Sequence, residues 1–334
     1  MTLPREALRR DGAMSPDAPD AAARLATLFA RMALAAAALT FVVIVASAFM
    51  RHTQAGLSCA DWPACYAVLP APGADVVPSA GVHLARIAHR LAATGVLALV
   101  IGMLLIAWTQ KPAWTRAGRL VLAAFVIAGA LAVLGIATPG ARVPAVTLGN
   151  LLGGYAMLAV LVATHAVSAH PPSPSGGACA TARIALVFVF VQAALGGMIG
   201  AQFASVACPS LGDCGSWTWR EFVAAGALDP LRPVAASDGH VVAPAGAAGL
   251  HVLHRLCGLV AAVVVLATAA LFRRARPRLA ATLGAVVVIA TGLGLAAVSP
   301  QPVLAVVVAH NACAAILVAL LAGAGTREPG TAPA

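Results

Sequence analysis

The stretch "HVLHRLCGLVAAVVVLATAALFRRAR" at 251–276 decides the fold class. After Arg255 the chain carries no charge until Arg273, and the apolar run suffices for the 20 or so helical residues, about 30 Å, that cross a bilayer's hydrocarbon core. Two histidines and an arginine stand near its start, and Arg273, Arg274, Arg276 and Arg278 follow its end. It reads as a transmembrane helix over 249–272 whose basic end faces the cytoplasm, because short cytoplasmic loops retain Lys and Arg.

The rest of the chain is built alike. Of its 334 residues 61% are hydrophobic and only 10% charged, with a mean hydropathy of +0.93, against about 25% charged in soluble domains. Seven further long apolar runs, with charges only near their ends, fit spans at 26–50, 84–108, 117–138, 144–168, 182–203, 279–298 and 302–323, the last two separated by "SPQP", whose prolines deny a helix its donors. Arg5, Arg9, Arg10 and Arg24 precede the first span, and Lys111, Arg116 and Arg119 join the second to the third, so both termini are expected in the cytoplasm. The net charge of +10 then reflects loop topology and anionic headgroups of the lipid bilayer, with no nucleic acid as partner. A basic start followed by "VASAF" (45–49) also has the form of a signal peptide, but the run is long enough to span and is read as a retained helix.

In this orientation two cysteine segments lie outside: "RHTQAGLSCADWPAC" (51–65) and, as a worn copy, "ASVACPSLGDC" (204–214). Each holds a C-x5-C pair, and in an oxidising periplasm local disulfides Cys59–Cys65 and Cys208–Cys214 are the expectation. Four cysteines allow three pairings, so connectivity stays open. Neither zinc spacing nor the C-x-x-C-H of attached haem is present. Cys179, Cys257 and Cys313 read as small buried hydrophobes.

The copy extends inward. "RIAHRLAATGVLAL" (86–99) resembles "HVLHRLCGLVAAV" (251–263), and "PAVTLGNLLGGYAMLAVL" (144–161) resembles "PVLAVVVAHNACAAILVAL" (302–320). The expected fold is therefore an all-α membrane protein of eight transmembrane helices, arranged as two pseudo-repeated four-helix bundles. Its divisions are a cytoplasmic tail (1–25), an N-terminal half (26–170), a linker (171–181) containing "PPSPSGG", a C-terminal half (182–323) and a second tail (324–334). Four spans per half give both halves one orientation, related by an axis along the membrane normal. "LLGGY" (151–155) and "LGGM" (195–198) supply small residues for close helix approach, and Trp217 and Trp219 suit an interfacial segment over the pocket.

By this register His89, Asn150, His254 and His310 share one depth, near the outer ends of their helices. Histidine inside a bilayer is costly, and facing side chains in a bundle core are where cofactors are held. His254 and His310 occupy equivalent helices of one half, and neutral imidazoles on opposite sides of an iron are standard haem ligation. All eleven acidic residues fall in loops or tails, which argues against a carboxylate-bridged metal or an Asp/Glu proton relay.

"RHTQAGLSCADWPAC", "AHRLAA", "LGGMIGAQFASVACPSLGDC", "LHVLHRL" and "VVVAHNACAAILVALL", in that order and spacing, resemble the haem A synthase family over about 26–323. The resemblance implies a protein of the bacterial inner membrane that oxidises the C8 methyl of haem O to formyl by successive hydroxylations. It implies haem O as substrate, haem A as product, molecular oxygen as co-substrate, and haem b in the C-terminal half. Haem O synthase and an electron donor would be partners, and assembly as a homo-oligomer is left open. His254 and His310 match the haem b ligands and His89 one ligand of the substrate half. Two positions depart: Asn150 stands where the family has a fourth ligand, and an amide is a poor iron ligand; Arg86 stands where the family commonly has a catalytic Glu, one turn before His89. Either His89 alone holds the substrate, with Arg86 on a propionate, or the N-terminal site has decayed and the protein is a haem b electron carrier. Arg90 and Arg255 directly follow their histidines and are propionate candidates, with headgroup contacts or loop acids as the alternative. Arg51 is a weaker candidate, and His83 and His165 fall outside the shared layer. A transporter or assembly factor would bind no haem.

Overall fold

The computed structural model describes residues 18–69, 77–109, 116–138, 143–169, 176–299 and 301–326, with side chains from residue 23. Arg5, Arg9, Arg10, Lys111, Asp75, most of both tails and residues 171–175 of the linker lie outside the described residues. Eight long helices are apolar enough to span a membrane: α1 (Ala18–Gln54), α2 (Ala80–Thr109), α3 (Arg116–Ala137), α4 (Pro144–Ala169), α5 (Gly177–Ala201), α7 (Ala247–Phe272), α8 (Pro277–Ala296) and α9 (Leu304–Ala324). Between α5 and α7 lie a 3₁₀ turn (Ala204–Val206), the short helix α6 (Trp219–Ala224) and a two-stranded hairpin of β1 (Ala236–Ser237) and β2 (His240–Val241). This is an all-α membrane protein, since a helix satisfies its backbone without water. Large side chains such as Leu84, Leu91, Trp108, Ile136 and Val263 are exposed on it, as a lipid-facing surface requires.

The boundaries agree with the expected spans except at two places that matter. α1 runs on to Gln54, so Arg51 and His52 are helical and partly buried rather than outside the bundle. α5 begins at Gly177, which takes 177–181 out of the expected linker.

In the first half α1 packs on α2 and α4, and α3 on the same two helices; in the second, α5 packs on α7 and α9, and α8 on those two. The halves meet where α4 touches α5 and α9 and where α1 touches α9. The core contains small and branched residues, among them Ala33, Ala36, Val100, Val121, Ala182, Val265, Leu283 and Val318. Backbones come close where the glycine pairs stand: a Cβ on Gly153 would lie 2.6 Å from Leu131, and one on Gly197 2.8 Å from Leu148.

One end of the bundle carries both cysteine loops. Cys59 and Cys65 are at bonding distance, with Cα atoms 6.1 Å apart, as are Cys208 and Cys214, at 4.2 Å. The first loop lies across the second half as well as its own. Ser58 Oγ donates to the Pro302 carbonyl and accepts from Leu304 N at 2.7 Å, Tyr66 Oη donates to Ser205 Oγ at 3.0 Å, and Val68 bridges His240. Leu57, Tyr66, Ala67 and Val241 close a small apolar cluster there, and burial pushes the Tyr66 phenol above its ordinary range, keeping it a donor. Over α7, α6 is held by a capping box between Thr218 and Glu221 and buries Phe222 against Gly249. Trp219 is exposed while Trp217 packs beside Phe222.

Gly56 is the loop's pivot: its φ is +82°, and a Cβ would lie 2.6 Å from the Cys65 carbonyl oxygen. Gly56→Ala is expected to destabilise the protein by at least about 1–2 kcal/mol, measured by thermal unfolding in detergent. Gly212→Ala, with open space around it, should change stability by less than about 0.5 kcal/mol.

Candidate functional site

Just below the cysteine loops, a cavity of about 460 Å³ opens within the second half and reaches the first. His254 of α7 and His310 of α9 face each other across it, with ring centroids 6.5 Å apart and planes at 75°. Glycine makes the room: a Cβ on Gly196 (α5) would lie 2.9 Å from His254 Cε1, and one on Gly294 (α8) 3.0 Å from His310 Cε1.

Hydrogen bonds assign the tautomers. His310 Nδ1 lies 2.8 Å from the Ala290 carbonyl, which only accepts, so the proton sits on Nδ1 and Nε2 keeps its lone pair. His254 Nε2 lies 3.3 Å from Gln192 Nε2, an amide nitrogen that only donates, so His254 Nε2 is the acceptor and Nδ1 carries the proton. The same amide donates to the His254 carbonyl at 3.0 Å, while His254 Nδ1 and Gln192 Oε1 are buried without partners. Gly258 admits Gln192, since a Cβ there would lie 2.8 Å from the amide nitrogen. The pocket therefore holds two neutral imidazoles, each with an unprotonated Nε2.

Polar groups form the rim. His251, one turn before His254, has Nε2 2.8 Å from the Ala204 carbonyl. Arg255 donates from Nη1 to the Leu211 carbonyl at 3.0 Å and to Cys214 Sγ at 3.3 Å, and from Nη2 to the Ser210 carbonyl at 3.3 Å. It clasps the second cysteine loop through its backbone, a partner distinct from the loop acids weighed above. From the first half come Arg51, His52 and Tyr155, the last donating its hydroxyl to the Asn311 carbonyl of α9 at 3.0 Å.

His52, Gln192, His251 and Tyr155 escaped the sequence reading. Gln192 was findable as the one amide in an otherwise apolar span, and His251 as a residue sharing a helical face with His254. His52 required knowing that α1 continues past residue 50.

The first half is arranged differently. His89 and Arg86 of α2 are half-buried, and Arg90 and His83 are exposed. No hydrogen bond joins His89, Arg86 or Arg90 to another side chain among the described residues. Asn150 is exposed and turns Nδ2 back to the Val146 carbonyl of its own helix at 3.0 Å. Leu134 stands as far before Asn150 as Gly294 does before His310. Its Cδ2 lies 2.7 Å from where a Cβ on Gly149 would be, so leucine occupies volume on a helix whose counterpart leaves room for an imidazole. His165 lies toward the other end, with Nδ1 2.9 Å from the Ala30 carbonyl, and serves as a tie between α4 and α1. Among the described residues no three His, Cys, Asp or Glu side chains converge to cage a metal ion.

The family model described as cytochrome oxidase assembly protein matches residues 30–322, which takes in both halves. A protein of Shewanella oneidensis named heme A synthase is 26% identical over 304 residues, covering 84% of this chain and 91% of that one.

Tyr155 links the halves beside the cavity. Tyr155→Phe is expected to destabilise the protein by about 1 kcal/mol through loss of the hydrogen bond to the Asn311 carbonyl, measured by thermal unfolding in detergent.

Proposed function

Since the chain belongs to the family of cytochrome oxidase assembly proteins, we propose that it is a haem A synthase of the bacterial inner membrane. It would oxidise the C8 methyl of haem O to formyl by successive hydroxylations with molecular oxygen, supplying haem A to terminal oxidases. The observation that carries this reading is the pair of neutral imidazoles, His254 and His310, facing across one cavity.

The pocket residues fit a haem b. A macrocycle that brings four nitrogens needs only axial ligands from the protein, which agrees with two imidazoles in place of a three-residue cage. Its volume lies in the range of about 300–1,000 Å³ usual for cofactor pockets. The buried, unpartnered atoms of His254 and Gln192 sit where ligand binding would reorganise the wall. Held by His254 and His310, a haem b would supply one-electron transfer. Ala290 holds the His310 tautomer from behind, the role of a group bonded to a metal ligand's other nitrogen, whereas Gln192 bonds His254 at Nε2 itself and would give up that contact when the nitrogen binds iron.

The N-terminal half, 26–170, would hold the substrate. His89 is its ligand, and Arg86, one helical turn away, is placed to bind a propionate, as is the exposed Arg90. Asn150, turned onto its own helix, would not hold the substrate, so His89 alone would, and the bound haem would supply the oxygen chemistry. The arginine-rich ends opposite the cysteine loops would face the cytoplasm, with the disulfides in the periplasm. Haem O synthase and an electron donor would be the partners. A second reading, a haem b electron carrier without oxygenase activity, is favoured by Arg86 and by Leu134, which packs on α4 at Gly149, beside Asn150.

Expression with a haem O synthase in a host lacking haem A separates them. Mass-resolved chromatography of extracted haem should show haem A or its hydroxymethyl intermediate; haem b and unmodified haem O alone, in folded protein supplied with electrons, would support the carrier. His254→Ala and His310→Ala should each abolish the bis-imidazole absorption spectrum. Leu134→Gly combined with Asn150→His, which reproduces the second half's pair, should tighten haem binding in the first half and lower haem A formation at least about tenfold, and undiminished formation would remove the open-site account.

A further inference from the structure

The last turn of α1 presents three consecutive residues with buried, unpartnered polar atoms: Arg51 Nε, His52 Nε2 and Thr53 Oγ1. Arg51 and His52 line the cavity of the opposite half, the one that contains His254 and His310. Arginine cannot shed its proton, and a buried cation is tolerated only when paired. Yet no Asp or Glu lines this cavity, and no hydrogen bond is made by the Arg51 guanidinium among the described residues. The other cation on the rim is different: both terminal nitrogens of Arg255 are bonded to the second cysteine loop. Tyr155, which interacts electrostatically with Arg51, is a neutral phenol that donates its hydroxyl to the Asn311 carbonyl. Arg51 is thus a fixed positive charge with free donors, inside an otherwise largely apolar pocket, and lacking a counter-charge among the described residues.

We propose that Arg51 is the acid-binding residue of the second-half pocket, pairing with a carboxylate of the macrocycle ligated by His254 and His310. The inference rests on the reading of that pocket as a haem site. It assigns the anion contact to the first half of the chain, in place of the arginine adjoining each histidine, so the second half's cofactor is bound by residues of both. A planar guanidinium offers the carboxylate two parallel donors, and His52 stands beside it on the same turn.

The test uses full-length protein in detergent, stripped of haem, in a His89→Ala background so that only the second pocket titrates. Protohaem and protohaem dimethyl ester share iron and ring and differ only in the acids. Protohaem should bind at least about tenfold more tightly than the ester, within the range of a charged hydrogen bond. Arg51→Gln should weaken protohaem at least about tenfold, leave the ester unchanged and keep the bis-imidazole spectrum; Arg51→Lys should retain part of the preference. Equal binding of acid and ester by the parent protein, or a preference surviving Arg51→Gln, overturns the assignment. Absence of a bis-imidazole spectrum with either ligand, or its persistence in His254→Ala, instead overturns the haem site itself and the assignment with it.

Discussion

In a bilayer, a backbone polar group that lacks a partner within the protein costs several kcal/mol. That requirement makes eight of these segments helical and makes every polar side chain inside them conspicuous. It also determines how the imidazoles are set. The Ala290 carbonyl already belongs to a helix, but its second lone pair is available, and His310 Nδ1 takes it at 2.8 Å. A side chain that would otherwise rotate is thereby fixed in tautomer and direction by main chain that cannot itself move without breaking α8. His254 is held instead by Gln192, whose amide reaches both the ring and the carbonyl of the same residue.

The same economy governs the loop end. Loops there cannot rely on a large apolar core, so they are bound together by a few directed contacts: Ser58 to the start of α9, Tyr66 to Ser205, Val68 to the hairpin, and Arg255 to three atoms of the second cysteine loop. Two of the elements so joined belong to different halves. The first cysteine loop consequently covers the second half's cavity, and the tip of α1 that feeds it enters that cavity.

The spans were legible in the sequence because lipid imposes a single rule on length and apolarity, and proline at 144, 277 and 302 adjoins helix starts. His254 and His310 were legible for the same reason, as costly residues in equivalent helices. What stayed hidden depended on where a helix ends and on volume. Continuing α1 by one turn transfers Arg51 and His52 from loop to cavity, and nothing in "FMRHTQAG" (49–56) marks that turn, since glycine with positive φ arrives only at Gly56. Gly196 read as a packing residue and Gly294 carried no reading; that each stands against an imidazole is a property of neighbouring helices, invisible to a local pattern. Arg255 stood out in the sequence but its partners did not, because carbonyl acceptors carry no sequence signature.

The halves differ by side-chain volume more than by helix arrangement. Each brings four spans and the corresponding set of helix contacts. In the second, glycine at 294 yields space that His310 occupies; in the first, Leu134 stands at the corresponding position and Asn150 turns outward. Installing histidine at 150 alone would therefore place a ring against leucine, at a cost comparable to overpacking a core, typically 1–3 kcal/mol. A glycine-histidine pair and a leucine-asparagine pair are each self-consistent, whereas the mixed pairs leave either a clash or a void. The identity of one residue thus constrains the other across two helices, and the space each half leaves beside α4 or α9 follows from that packing choice.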